Sequence, residues 1–207
     1  TDGPHAGHQS WVLRTDAASA VEASNSRSDE FSLLQAAFLQ GIAVPQPLYF
    51  CSDDKVFGRP FFIMTAMPGQ AQARKLVRNP DLPEQGMKLV AQLGCIMAKI
   101  HAITPQTNFK TKGLGKKELL SFLPLYEGSA ARFQTTQMRV ALDQLETAHP
   151  VLEYSLNWLE DHFSIWADHA APVLCHRDFR TGNFLVEDGK CTAVLDWEFA
   201  GWSDRHE

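Results

Sequence analysis

The spacing of apolar residues changes character along this chain. Trp11, Val12 and Leu13 form a β-prone apolar run within residues 9–14. A polar stretch rich in Ala, Ser and Asn follows over 15–28, and the pair predicts a strand and then a connector. Over residues 29–40, Phe31, Leu33, Leu34, Ala37 and Phe38 recur at helical spacing, and Gly41 stands where a helix-ending glycine belongs. Val44-Pro45-Gln46-Pro47 must be extended, because each proline fixes its own φ and biases its predecessor away from α. Residues 48–51 then read as a strand, 52–55 as a turn and 59–64 as a second, antiparallel strand closed by Pro68-Gly69.

Beyond that turn the period becomes helical. Leu89, Leu93, Ile96, Met97 and Ile100 mark one face of a long helix, and 129–145 and 152–166 read as two further amphipathic helices. Residues 104–125 between them carry Pro, Gly and Lys without a period. Two short strands are predicted at 183–186 and 191–195, joined by Glu187-Asp188-Gly189-Lys190, whose Asp-Gly pair signals a tight hairpin. The pattern is α+β, with a β-rich part at 1–66 and an α-rich part at 67–207.

Composition narrows the function. A 207-residue chain with 44% hydrophobic residues can bury a core, and a formal net charge of -5 gives no broad electropositive surface for nucleic acid or anionic membrane. No apolar run reaches membrane-spanning length, and the polar first ten residues lack the apolar segment of a signal peptide. Cys51, Cys95, Cys175 and Cys191 are far apart and fit no zinc spacing, so they read as buried thiols in a reducing, cytoplasmic setting. A small molecule or a protein is the expected partner.

The chemistry concentrates near the end of the chain. His176-Arg177-Asp178-Phe179-Arg180-Thr181-Gly182-Asn183 has the form H-x-D-x-x-x-x-N, and the predicted hairpin leads directly to Leu195-Asp196-Trp197-Glu198-Phe199. That order is the catalytic loop and metal loop of the kinase fold. On a loop, the Asp178 carboxylate orients an acceptor hydroxyl and takes its proton. Asn183 offers a neutral oxygen to Mg2+, and Asp196 brings anionic oxygens that hold Mg2+ against the β- and γ-phosphates.

The segment VLCHRDFRTGNFLVEDGKCTAVLDWEFAGWSD resembles the catalytic segment of the aminoglycoside phosphotransferase and choline kinase superfamily, in which Asp-Trp-Glu or Asp-Phe-Glu replaces Asp-Phe-Gly. The resemblance extends upstream through WVLR, SDEFSLLQAAFLQGIAVPQPLYFC and GRPFFIMTAMPG to nearly the whole chain. It is weakest over 104–150. It implies a protein-kinase-like bilobal fold, with a partial sheet-and-helix lobe at 1–66 and a partial helical lobe at 67–207. It also implies an ATP- and Mg2+-dependent phosphotransferase acting on a hydroxyl of a small molecule.

By the same resemblance, Asp178 is the catalytic base and Asn183 and Asp196 hold the metal. Arg14 and Glu30 form the phosphate-positioning pair. Thr65 and Met67 meet the adenine edge through backbone carbonyl and N–H groups, and Met64 lines the pocket behind it. Asp204 braces the catalytic loop.

The sequence departs from the family pattern in two places: Arg14 stands where lysine is common, and Arg177 stands where glycine is usual. Arg177 either steadies the loop or faces solvent, and Glu198 either assists the metal loop or bonds the backbone. His101 reads as a packed histidine. A solvated Glu30 on an open helix face is the plain alternative to its pairing role. Only ten residues precede Trp11, too few for a phosphate-covering loop, and the chain stops soon after the metal loop, so a piece of a longer reading frame is expected. A non-catalytic kinase-like module that binds nucleotide or a partner is the alternative function, and a metal-dependent hydrolase built on His176, Asp178 and Asp196 is a third.

Overall fold

The computed structural model describes residues 10–16, 24–78, 82–109, 119–163 and 171–206. Strands β1 (Trp11–Thr15), β2 (Pro47–Cys51) and β3 (Phe61–Thr65) form an antiparallel sheet in the order β1-β3-β2, with Arg14 opposite Phe62 and Trp11 opposite Thr65. Helix α1 (Arg27–Leu39) packs on the sheet through Phe31, whose ring lies 5.9 Å from Phe50 and 5.8 Å from Phe62. Ser26 caps α1 by accepting the Asp29 amide at 3.3 Å, and its buried face runs Arg27, Glu30, Leu33, Leu34, Ala37. That stripe has the helical period, yet its first two members are charged. Phe38, expected on the buried face, is instead exposed.

Where a turn was expected at 52–55, the chain forms a single-turn helix α2 (Asp54–Phe57). The Asp53 side chain accepts the Lys55 amide at 2.9 Å, and Gly58 closes the turn in the left-handed region at φ 77°. A short α3 (Ala73–Val77) precedes the long α4 (Leu82–His101). Helices α5 (Ala130–Asp143) and α6 (Pro150–Asp161) replace the two helices expected at 129–145 and 152–166. The second starts earlier because Pro150 suits a first helical turn, and residues 164–166 lie outside the described set. Arg139 ties the two helices by donating to Glu153 at 2.9 Å, Glu160 at 2.8 Å and Asn157 at 2.8 Å. Residues 110–118 of the expected irregular connection also lie outside the described residues.

Strands β4 (Val173–Cys175) and β7 (Gly201–Ser203) pair antiparallel, and β5 (Phe184–Glu187) pairs with β6 (Lys190–Val194). The Asp188-Gly189 turn has φ 48° and 70°, the paired left-handed geometry for which Asp-Gly is suited. Buried Leu89, Ile96 and Ile100 of α4 join Leu174, Phe184, Val194 and the fully buried Trp197 in one core with Leu33, Leu34 and Phe62.

Several contacts fix the hairpin. Gln92 of α4 clasps the Cys191 backbone, accepting its amide at 2.8 Å and donating to its carbonyl at 2.9 Å. Gln70 exchanges two backbone bonds with Val186, at 3.0 and 3.1 Å, which docks the segment after β3 onto β5. A Cβ on Gly69 would meet the Val186 backbone at 3.0 Å, so glycine is required for this approach as well as for its φ of 113°. Cys175 and Cys191 are buried, but Cys51 is only half-buried and Cys95 is exposed on the outer face of α4, which corrects the reading of four buried thiols.

Candidate active site

Loop 176–183 lies between β4 and β5, and loop 195–200 between β6 and β7, so two strand pairs hold both loops. His176 is their keystone. Its Nε2 donates to the Leu195 carbonyl at 2.9 Å, its Nδ1 accepts the Asp178 amide at 3.3 Å, and its ring meets Trp197 edge-on at 4.8 Å. This pattern needs a neutral imidazole with the proton on Nε2. Burial pushes the His176 pKa below its ordinary value, outweighing the Leu195 carbonyl and the nearby Asp178 and Asp196. A histidine kept neutral in the fold contributes stability that is full above about pH 6.5 and is lost as pH falls through its lowered pKa. Melting temperature is therefore expected to drop as pH falls from about 7 to 5. His176→Gln should flatten that slope, leaving the part owed to His101, whose pKa burial also lowers.

Asp178 carries two bonds to its carboxylate: Arg180 Nε donates to Oδ1 at 2.8 Å and Asn183 Nδ2 to Oδ2 at 2.5 Å. The Asn183 amide nitrogen also donates to the Asp178 carbonyl at 3.0 Å. With its nitrogen so committed, the Asn183 oxygen is the group left for a ligand. Asn183 is buried, and the Leu195 amide donates to its backbone carbonyl at 2.7 Å, which joins the two loops beside Asp196.

Two loop residues adopt left-handed backbone without being glycine, Arg177 at φ 64° and Asp196 at φ 63°. Such positions cluster at functional sites, because the surrounding structure must hold them. At Arg177 this is the backbone that the glycine expected there would adopt without strain. The Arg177 side chain donates through Nη2 to the Trp202 carbonyl at 2.9 Å, so it steadies the loop against β7.

Arg14 and Glu30 meet here. Arg14 Nε lies 2.8 Å from Glu30, and Arg14 Nη2 lies 2.6 Å from Asp196 and 3.4 Å from Glu198. Glu30 is 1% exposed, which removes the solvated alternative. A second cation, buried Arg27, also pairs with Glu30 and contacts Asp16 at 2.6 Å and Glu198 at 3.0 Å. Sequence reasoning missed Arg27, although it lies one turn before Glu30 on the buried stripe of α1. Both guanidiniums are raised above their ordinary values: desolvation is the largest influence and works against this, and it is outweighed by Glu30 and Asp196 together at Arg14 and by Glu30, Glu198 and Asp16 together at Arg27. Burial pushes the Glu30 carboxyl above its ordinary value, against the pull of Arg14 and Arg27.

A cavity of about 160 Å³ is lined by Arg14, Glu30, Leu34, Pro45, Met64, Gly182, Asn183, Leu195 and Asp196. Five residues expected at the site, from both ends of the chain, thus share one cavity. Asp178 sits beside it through Asn183. Thr65 and Met67 are not in its lining. The Thr65 amide and hydroxyl are engaged by the Gln46 carbonyl at 3.0 Å and the Gln46 amide at 2.9 Å. Asp204, expected to brace the catalytic loop, accepts Cys175 Sγ on its carbonyl at 3.2 Å and the His206 amide on its carboxylate at 2.8 Å.

The donor set suits Mg2+, which takes one or two protein oxygens and completes its shell with water and phosphate. Asp196 supplies a carboxylate with one oxygen already on Arg14, and Asn183 supplies an oriented amide oxygen. Among the described residues no group of three or more His, Cys, Asp and Glu side chains is placed to hold a metal, so the arrangement does not fit an all-protein metal cage.

Residues 4–207 match the Phosphotransferase enzyme family. Curated relatives include acyl-CoA dehydrogenase family member 11 of Gallus gallus, 28% identical over 197 residues, and that of Homo sapiens, 26% identical over 202 residues. Each match covers 94% of this chain and 24% of the relative, so the chain spans about a quarter of the relatives' length. Similar solved structures include a ternary complex of aminoglycoside phosphotransferase APH(4)-Ia with ADP and hygromycin B. It has a TM-score of 0.60 at 18% identity, covering 96% of this chain and 62% of that one. A streptomycin-ATP complex of APH(2″)-IIa has a TM-score of 0.59 at 16% identity, covering 94% and 60%. The fold is protein-kinase-like, and the chain belongs to the phosphotransferase enzyme family.

Proposed function

We propose that this chain carries the nucleotide and catalytic machinery of a small-molecule kinase that moves the γ-phosphate of ATP to an acceptor hydroxyl in the cytoplasm. The observation that carries the reading is the shared cavity in which Arg14, Glu30, Asn183 and Asp196 converge beside Asp178. In this reading residues 1–66 and 67–207 are the two lobes, and the Thr65 and Met67 backbone receives the adenine in front of Met64. Bound Mg2+ would neutralise phosphate charge, with Asn183 and Asp196 as its protein ligands. Arg14, oriented by Glu30, positions the phosphates. Asp178 accepts the hydroxyl proton as the acceptor oxygen bonds to the γ-phosphorus and the bond to the β–γ bridging oxygen breaks, releasing ADP. Positioning and charge compensation account for most of such catalysis.

The decisive test is thermal melting of the chain with and without Mg2+-ATP, beside Asp196→Ala. Ligand at about 100 times its Kd adds about 2.7 kcal/mol to the folded state. An upward shift that requires Mg2+ and vanishes in the variant is the expected result. No shift in the intact chain would refute the reading. An acceptor screen then starts from an aminoglycoside, the compound class named by the structural neighbours, and an acyl-CoA, named by the curated relatives. Mg2+-nucleotide binding without transfer to any acceptor would leave the non-catalytic module.

A further inference from the structure

The metal loop is tied to α1 by more than Arg14. Glu198 accepts Arg27 Nη2 at 3.0 Å and Arg14 Nη2 at 3.4 Å. Just ahead of α1, the Asn25 amide donates to the Glu198 carbonyl at 2.7 Å, and Asn25 Nδ2 donates to the Ala200 carbonyl at 2.9 Å. Arg27 is 5% exposed and divides its guanidinium three ways, with Nε on Asp16, Nη1 on Glu30 and Nη2 on Glu198. One buried cation therefore joins the residue after β1, the first turn of α1 and the metal loop.

We propose that Glu198 is a positioning residue and not a metal ligand: with Arg27 and Asn25 it latches the start of α1 onto residues 196–200. The proposal rests on the kinase reading of the site. A Glu198 carboxylate turned to the metal would leave Arg27, buried and charged, short of one partner. Asp196 has the left-handed backbone just before this latch, and Arg14 grips its carboxylate from the sheet. Holding the turn at 198–200 fixes where Asp196 points, and holding α1 fixes Glu30 and through it Arg14. The latch thus sets both sides of the cavity at once.

The test is a double-mutant cycle on Glu198→Gln, Arg27→Met and the pair, read by melting temperature and by the Mg2+ concentration giving half the ATP-dependent melting shift. If Glu198 acts through Arg27, each single variant raises that midpoint several-fold, and the pair is no worse than the more damaging single variant. Asn25→Ala should raise it less, and it keeps the test available if Arg27→Met does not fold. The latch is overturned if Glu198→Gln removes the Mg2+-dependent shift as completely as Asp196→Ala while Arg27→Met and Asn25→Ala leave the midpoint unchanged. Additive losses in melting temperature also overturn it. That second readout needs no nucleotide, so it decides the latch even if the intact chain shows no Mg2+-ATP shift and the kinase reading itself fails.

Discussion

Asp178→Ala is expected to lower kcat by about 10²- to 10⁴-fold, the range for removing a positioned general base. Asp178 is bonded through both carboxylate oxygens, to Arg180 and Asn183, which aims it without closing the cavity beside it. The loss should fall on kcat while KM for ATP changes little, because Asp178 acts on the acceptor. A Mg2+-ATP melting shift close to that of the unaltered chain would accompany it. If KM for ATP rises in parallel with the fall in kcat, Asp178 serves nucleotide binding and the assignment of the base is wrong.

Glu30→Ala should have the largest effect on stability. Glu30 is nearly inaccessible and compensates two guanidiniums, and removing one partner of a buried ion pair costs about 3–5 kcal/mol. The low end, about 3 kcal/mol, is expected because Arg14 is 29% exposed and Arg27 keeps Asp16 and Glu198. For a chain of this size that is roughly 6–12 °C in melting temperature. Glu30→Gln keeps the shape and part of the hydrogen bonding, so it should lose less. Equal melting of Glu30→Ala and the unaltered chain would mean that the network carries no net stability.

Local chemistry made much of the site legible beforehand. The spacing from His176 to Asn183 and the Asp-Gly turn dictate a loop, a hairpin and a second loop from neighbours in sequence, and the structure has that arrangement. The strands β4 and β7 that brace these loops were not expected, because three-residue strands leave too short a pattern to show a period. Arg27 was missed for a different reason: a charged residue at a helix start reads as solvated, and only tertiary pairing reveals it as core. Helix α3 lacks any side-chain cap and buries nothing fully, so no sequence signal distinguishes it from the loop around it. The Glu30 alternatives could be separated only once β1 brought Arg14 across from a distant part of the chain.

A Cβ built on Gly201 would lie 2.8 Å from Arg177 Nη1, in space the guanidinium already fills on its way to Trp202, whereas the backbone at 201 is not in the left-handed region. The three atoms nearest to that Cβ all belong to the Arg177 guanidinium. Residues 177 and 201, twenty-four positions apart, are thus coupled: a Cβ at 201 must displace the end of the Arg177 side chain, so its cost falls on the Arg177–Trp202 bond and not on the backbone. With glycine at 177, alanine at 201 would displace nothing.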